Sequence, residues 1–146
     1  MIGLVQRVAR ACVTVDGVVV GEIGRGLLVF VCAVPGDDDR VASAFVDKVL
    51  KLRVFADDAG RMNRSVADVA GGLLVVSQFT LAADTRGGNR PSFTAAAPPD
   101  VARALYEAVL RLARERHPDV AAGAFGASMQ VALINDGPVT IPLDVR

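Results

Sequence analysis

Apolar and polar positions partly alternate over residues 4–15 in a β-rich stretch, and Asp16-Gly17 then leads into Val18-Val19-Val20. This pattern predicts a β-hairpin, because Asp-Gly tolerates the positive φ angles of a two-residue turn. Gly24-Arg25-Gly26 makes the next break, and the apolar run 27–34 reads as a fully buried strand ended by Pro35-Gly36. The period then changes. Val41, Phe45, Val49 and Leu52 recur at helical spacing behind Asp37-Asp38-Asp39, whose charges suit a helix N-terminus, so a helix is predicted over 38–52.

Val54-Phe55 reads as a short strand, residues 57–60 as a turn and residues 73–79 as a further apolar strand. Residues 83–96 lack periodicity and carry Gly87-Gly88 and Pro91, which makes them a loop. A second helix opens at Pro98-Pro99-Asp100, with Asp100 as the expected N-cap. Its buried stripe is Leu105, Val109 and Leu112, and Arg111, Arg114 and Arg116 load its C-terminal end. Residues 129–134 and 139–145 are the closing strands. Pro142 implies that the last one lies at an edge or ends irregularly. The expectation is one α+β domain over residues 1–146, with two main helices and a mixed or antiparallel sheet that is barrel-like.

Composition narrows the function. Sixteen basic and sixteen acidic side chains cancel. A chain that grips long nucleic acid by its phosphates usually has a basic excess, so neutrality points to a small footprint or to one end of an RNA. Cys12 and Cys32 sit in apolar runs without metal or disulfide spacing and read as buried thiols in a reducing compartment. Arg7 and Arg10 interrupt any N-terminal signal sequence, and the longest apolar stretch, 26–34, is too short to cross a bilayer. A cytoplasmic protein is expected, with no membrane association. With one His and no Cys/His cluster, neither a metal site nor another cofactor is expected.

Two polar blocks close apolar strands, Ser77-Gln78-Phe79-Thr80-Leu81 and Asn135-Asp136-Gly137-Pro138-Val139-Thr140. Gly-Pro can bring backbone into a site, since glycine has no Cβ and proline has no N–H. The plain alternative is a tight turn between two strands. Thr80 has a similar plain reading, as a β-branched strand residue. As a nucleophile it needs an adjacent base, and none is evident. His117, at the end of the second helix beside Pro118, reads as a surface or capping residue, and no Ser-His-Asp set can be assembled.

These blocks carry a likeness that extends over essentially the whole chain. Together with Gln6-Arg7-Val8, Gly26-Leu27-Leu28, Leu52-Arg53-Val54-Phe55, Met62-Asn63-Arg64-Ser65 and Gly88-Asn89-Arg90-Pro91-Ser92-Phe93, the sequence resembles the D-aminoacyl-tRNA deacylases. It departs from their pattern at Cys32, Ala82 and Gly87, where Gly, Tyr and Lys are common. The resemblance implies a homodimer with a barrel-like fold and a site at the subunit interface. There the strand end carrying Ser77, Gln78, Phe79 and Thr80 faces Gly137-Pro138 of the other subunit.

In that family the Gly-Pro bond is cis and its carbonyls point into the pocket, excluding an L side chain by sterics. Glycine, lacking a side chain, is not excluded. The implied reaction is hydrolysis of D-aminoacyl-tRNA and glycyl-tRNA, assisted by the 2′-hydroxyl of the terminal adenosine. Backbone N–H groups near Phe79-Thr80 would form the oxyanion hole. Gln78 and Phe79 would hold the adenosine, with Ser77 fixing the strand end. Arg7, Met129 and Asn135 are supporting candidates around the Gly-Pro segment and the pocket. Asn89 and Arg90 are candidates to receive the 3′ acceptor end, and Phe93 reads as a packing anchor. A non-hydrolytic nucleic-acid-binding module on the same fold is the alternative, and a generic small-molecule binder or esterase a weaker one.

Overall fold

A computed structural model describes residues 1–146. β1 (Ile2–Val15) turns into β2 (Val18–Ile23) through Asp16 and Gly17, whose φ angles of 49° and 79° are those an Asp-Gly turn supplies. β3 (Gly26–Cys32), α1 (Asp39–Lys51), β4 (Phe55–Ala56), β5 (Met62–Arg64) and β6 (Gly72–Ser77) follow. A 3-10 helix (Phe79–Ala82), α2 (Pro99–Arg116), β7 (Val120–Ala122) and β8 (Gln130–Asp144) complete the chain.

β1 organises the main sheet. β2 and β3 run in line along one of its edges, with Ala11 opposite Ile23 and Val8 opposite Gly26. β8 lies antiparallel along the other edge. β6 adds to β3, and β7 to β6, as parallel strands. The two ends of this path curve towards each other. A Cβ on Gly21 of β2 would fall 2.4 Å from the carbonyl oxygen of Ala122 in β7, so only glycine fits that seam. The result is the expected α+β architecture, a nearly closed mixed sheet with two helices.

Strand alternation divides the core. Val8, Ala11, Val13, Ile23, Leu28, Leu74 and Val76 fill the inside of the curved sheet. Leu27, Val29, Leu73 and Val75 face outward under Phe45 and Val49 of α1 and Val109 and Leu112 of α2. Cys32 is buried as expected. Cys12, between the inward-facing Ala11 and Val13, points to the other face and is only half-buried.

Several local expectations change. Asp38 caps α1, its carboxylate accepting the N–H groups of Arg40 and Val41. Asp100 does not cap α2: Pro98 occupies the N-cap without a side-chain bond, and Asp100 falls in the first turn. Pro99 enters the helix at its start, where a missing N–H costs nothing. His117 does lie at the C-cap, its N–H bonding Ala113, but it is not on the surface. Only 4% exposed, its Nε2 lies 2.7 Å from the Gly71 carbonyl. The chain after it runs straight back to β6, where the Leu73 N–H donates to Asp119, trapping the ring underneath.

The largest difference concerns the last two predicted strands. They are one strand, β8, which continues through Gly137-Pro138 without turning back. Gln6 pairs with Thr140 and Val8 with Asn135, so the segment 136–139 bulges opposite the single residue Arg7. Asn135 spans the bulge: its Oδ1 accepts the Val139 N–H, and its Nδ2 donates to Thr140 Oγ1 at 2.9 Å. β8 pairs with β1 alone and is therefore an edge strand, as Pro142 implied.

Candidate active site

β6 ends at Ser77, two residues before the predicted limit. The N–H of Gln78 still reaches the Val31 carbonyl at 2.8 Å, and the backbone then tightens into the 3-10 helix. This strand-to-helix change lifts Phe79 and Thr80 out of the sheet, leaving Phe79 55% exposed. Beside it opens a cavity of about 480 Å³, mostly apolar, with Ser77, Gln78, Phe79, Tyr106, Phe125 and Met129 in its wall. Its size and its few convergent polar groups are those of a small-ligand site.

The polar side chains here are neutral. Gln78 donates its side-chain amide to Thr80 Oγ1, the only side-chain hydrogen bond that hydroxyl makes. Tyr106 donates to the carbonyls of Val75 and Gly123 at 3.0 and 3.2 Å, and burial pushes its phenol up to about 12. The Cys32 thiol lies 3.6 Å from the Phe79 carbonyl beneath the 3-10 helix. Burial raises its pKa above the ordinary value, only partly offset by the Ala82 amide, so it is a protonated thiol rather than a nucleophile. No group of three or more His, Cys, Asp or Glu side chains comes together as a metal site would require.

A second cluster forms where β8 bulges. Arg7 donates from Nη1 to the Val54 carbonyl at 2.5 Å and from Nε to the Asp136 carbonyl at 3.1 Å. The same Nε lies 3.3 Å from the Asp136 carboxylate. Gly137 has φ 123°, and a Cβ on it would stand 2.6 Å from Arg7 Nη2. The Gly137-Pro138 peptide bond is cis, and both residues are exposed. Gly137, Pro138, Arg7 and Asn135 thus form one constellation, held by charge-assisted bonds to backbone.

The two clusters do not meet within one chain. Arg7 pairs with Leu27 at the start of β3, whereas Ser77 pairs with Val31 near its end. Four residues of extended strand separate them by about 13 Å, and neither Gly137 nor Pro138 lines the cavity. Asn89 and Arg90 occupy the exposed loop between Asp84 and Ser92, which pair with each other. Arg86 bonds the Asp84 carboxylate there and holds it below the usual carboxylate range. Phe93 packs edge-on against Phe79, with ring centroids 5.1 Å apart. Tyr106 and Phe125 were not singled out in the sequence. The helical spacing of Tyr106 marks it only as core, and Phe125 falls in a segment without periodicity.

An apolar cavity with neutral polar side chains, and a backbone bulge set apart from it along the sheet, are the two clusters this fold presents. A family model and the sequence relatives agree on the family. The family model described as D-Tyr-tRNA(Tyr) deacylase matches residues 4–144. The chain is 65% identical over 145 residues to a D-aminoacyl-tRNA deacylase of Azoarcus sp. (strain BH72), covering 99% of this chain and 96% of that protein. It is 64% identical to one of Methylibium petroleiphilum, covering 99% and 95%.

Among solved structures it resembles a c-Myc DNA unwinding element binding protein, with TM-score 0.94 and 41% identity over 99% of this chain and 98% of that one. The fold also matches a probable eukaryotic D-amino acid tRNA deacylase, with TM-score 0.79 and 18% identity over 97% of each chain. The chain belongs to the D-Tyr-tRNA(Tyr) deacylase family.

Proposed function

We propose that this protein is an editing hydrolase of the cytoplasm that cleaves the ester of D-aminoacyl-tRNA and of mischarged glycyl-tRNA, sparing L-aminoacyl-tRNA. Family membership over residues 4–144 supports the reaction class. The observation that carries the site reading is the separation of the two clusters on one chain. A homodimer resolves it, with each cavity covered by the Gly137-Pro138 segment of a second copy. β8, an unpaired edge in the single chain, is a natural element for such contact.

In this reading the terminal adenosine of the tRNA enters the cavity beside Gln78 and Phe79. The first N–H groups of the 3-10 helix, without partners inside it, face the oxyanion that forms when water attacks the ester carbonyl. The 2′-hydroxyl of the adenosine orients that water. The acyl–oxygen bond breaks, and the proton passes to the departing 3′-oxygen. The chemistry needs no metal and no protein nucleophile, which suits a Thr80 hydroxyl bonded only by Gln78.

Exclusion of L substrates is assigned to the Gly137-Pro138 backbone, kept in position by Arg7 and Asn135. An L side chain would be driven into it, whereas a D side chain projects away and glycine has nothing to exclude. Asn89 and Arg90 are assigned to the acceptor end of the tRNA.

A paired deacylation assay tests the proposal, with one tRNA charged with D-tyrosine, L-tyrosine or glycine. Rapid release from the D-ester and the glycyl ester, with the L-ester spared, is expected. Equal release from all three would point to an unselective esterase, and release from none to a binding module.

A further inference from the structure

The cavity has a cationic rim that neither polar block supplies. Arg103, exposed on the early turns of α2, holds its guanidinium carbon 4.5 Å from the ring centroid of Phe125. The Phe125 ring lies 5.8 Å from that of Tyr106, and both rings line the cavity together with Ala102 and Gly126. Arg103 Nη2 is 3.8 Å from the point a Cβ on Gly126 would occupy. An aromatic face therefore positions the guanidinium at the mouth while leaving its in-plane N–H donors free.

Those donors have no partner on the chain, since Arg103 takes part in none of the ion pairs. Arg86, Arg111 and Arg116, by contrast, each meet a carboxylate. A planar, permanently charged donor fork matches the oxygens of a phosphate. The start of α2 does not offer the same site, because Asp100 brings a carboxylate to its first turn.

We propose that Arg103 binds the phosphodiester immediately 5′ of the terminal adenosine when that nucleoside occupies the cavity. The assignment rests on the proposed function and extends it, from the ester and its nucleoside to the first linkage of the RNA chain. In a protein of zero net charge, one pre-positioned cation gives a short footprint that reads the end of the RNA rather than its length.

The test compares D-tyrosyl-tRNA with 3′-O-D-tyrosyl-adenosine, which has no phosphate. The wild type is set against Arg103→Met, which still covers Phe125, and Arg103→Lys, which keeps the charge. For Arg103→Met the expected result is a KM for the tRNA ester raised about tenfold with kcat unchanged, and a salt dependence shallower by about one unit. Its KM for the adenosine ester stays at the wild-type value, and Arg103→Lys recovers most of the loss on tRNA.

Equal losses on both esters would overturn the assignment in favour of a role in cavity shape, and no loss on either would make the guanidinium a solvated surface group. A wild type inactive on both esters would overturn the proposed function itself, a failure distinct from any in the variants.

Discussion

Replacing Gly137 by Ala probes the bulge where its geometry is tightest. Its φ of 123° lies in a region that L side chains rarely adopt, and holding a non-glycine residue there costs on the order of 1–3 kcal/mol. The new Cβ would also stand 2.6 Å from Arg7 Nη2 and 3.1 Å from Val139 Cγ2. Arg7 is a long side chain, but it is not free to swing away, because its bonds to the Val54 and Asp136 carbonyls fix both ends of the guanidinium. Losing one such charged hydrogen bond costs about 1.5–3 kcal/mol.

The exposed segment relaxes part of this, so a net loss of about 3 kcal/mol is expected. With an m-value of about 2 kcal/mol/M, the urea midpoint falls by about 1.5 M. Gly17→Ala is the control. Its φ of 79° is comparably unfavourable, but nothing lies within 4 Å of the added methyl. It should lose only the conformational part, about 1–2 kcal/mol. In deacylation, Gly137→Ala is expected to lower the ratio of D- to L-ester turnover at least tenfold, while Gly17→Ala leaves it unchanged. Equal midpoint shifts in the two variants, with the D/L ratio intact in both, would refute the reasoning.

Thr80→Ala should keep hydrolysis within about tenfold of wild type, since one hydroxyl bonded by Gln78 is removed and no proton-transfer partner is lost. Near-total loss of kcat in a folded variant would contradict substrate assistance. The Tyr106 phenol, raised from 10.0 to about 12 by burial, links folding to alkaline pH. The unfolded chain releases this proton first, so the stability it contributes is whole below pH 10 and is lost as pH rises through about 12. Tyr106→Phe should flatten the alkaline decline of the denaturant midpoint over that window; an unchanged decline assigns it to other groups. His117→Ala should cost about 1–3 kcal/mol by leaving the Gly71 carbonyl without its buried partner. Thermal melting and deacylation measured together should show lower stability with an unaltered D/L ratio.

What the sequence made legible follows from which forces are local. The Asp16-Gly17 hairpin and α1 are written in turn chemistry and in a 3.6-residue period, and they formed as read, within a residue at each end of the helix. β7, three residues at the start of an Ala- and Gly-rich stretch, has no period of its own and exists because β6 offers an open edge. The bulge in β8 was read as two strands because Asp-Gly-Pro is local turn chemistry, whereas pairing with β1 on both sides of Arg7 is a long-range effect.

The burial of His117, read as a surface or capping residue, was missed for the same reason, its partner Gly71 lying 46 residues away, whereas its place at the helix end held. Ser77, Gln78 and Phe79 were grouped at one strand end through family likeness, and Met129 was placed only as a supporting residue around the Gly-Pro segment and the pocket; all four line the cavity. Tyr106 and Phe125 were not singled out, because only the packing of α2 beside the 122–129 segment brings them to the cavity wall and sets Arg103 over the Phe125 ring.

The central claim is that each working site combines the cavity of one copy with the Gly137-Pro138 segment of another, and subunit complementation tests it most directly. Ala127→Trp fills the cavity from its loop, and Pro138→Trp puts a bulky side chain on the bulge; each homodimer should be inactive on D-tyrosyl-tRNA. Unfolded together and refolded as an equal mixture, the two variants should regain about a quarter of wild-type activity, since half the dimers are mixed and each of those holds one intact site of two. A mixture that forms mixed dimers yet stays inactive would contradict the account and place the complete site within a single chain.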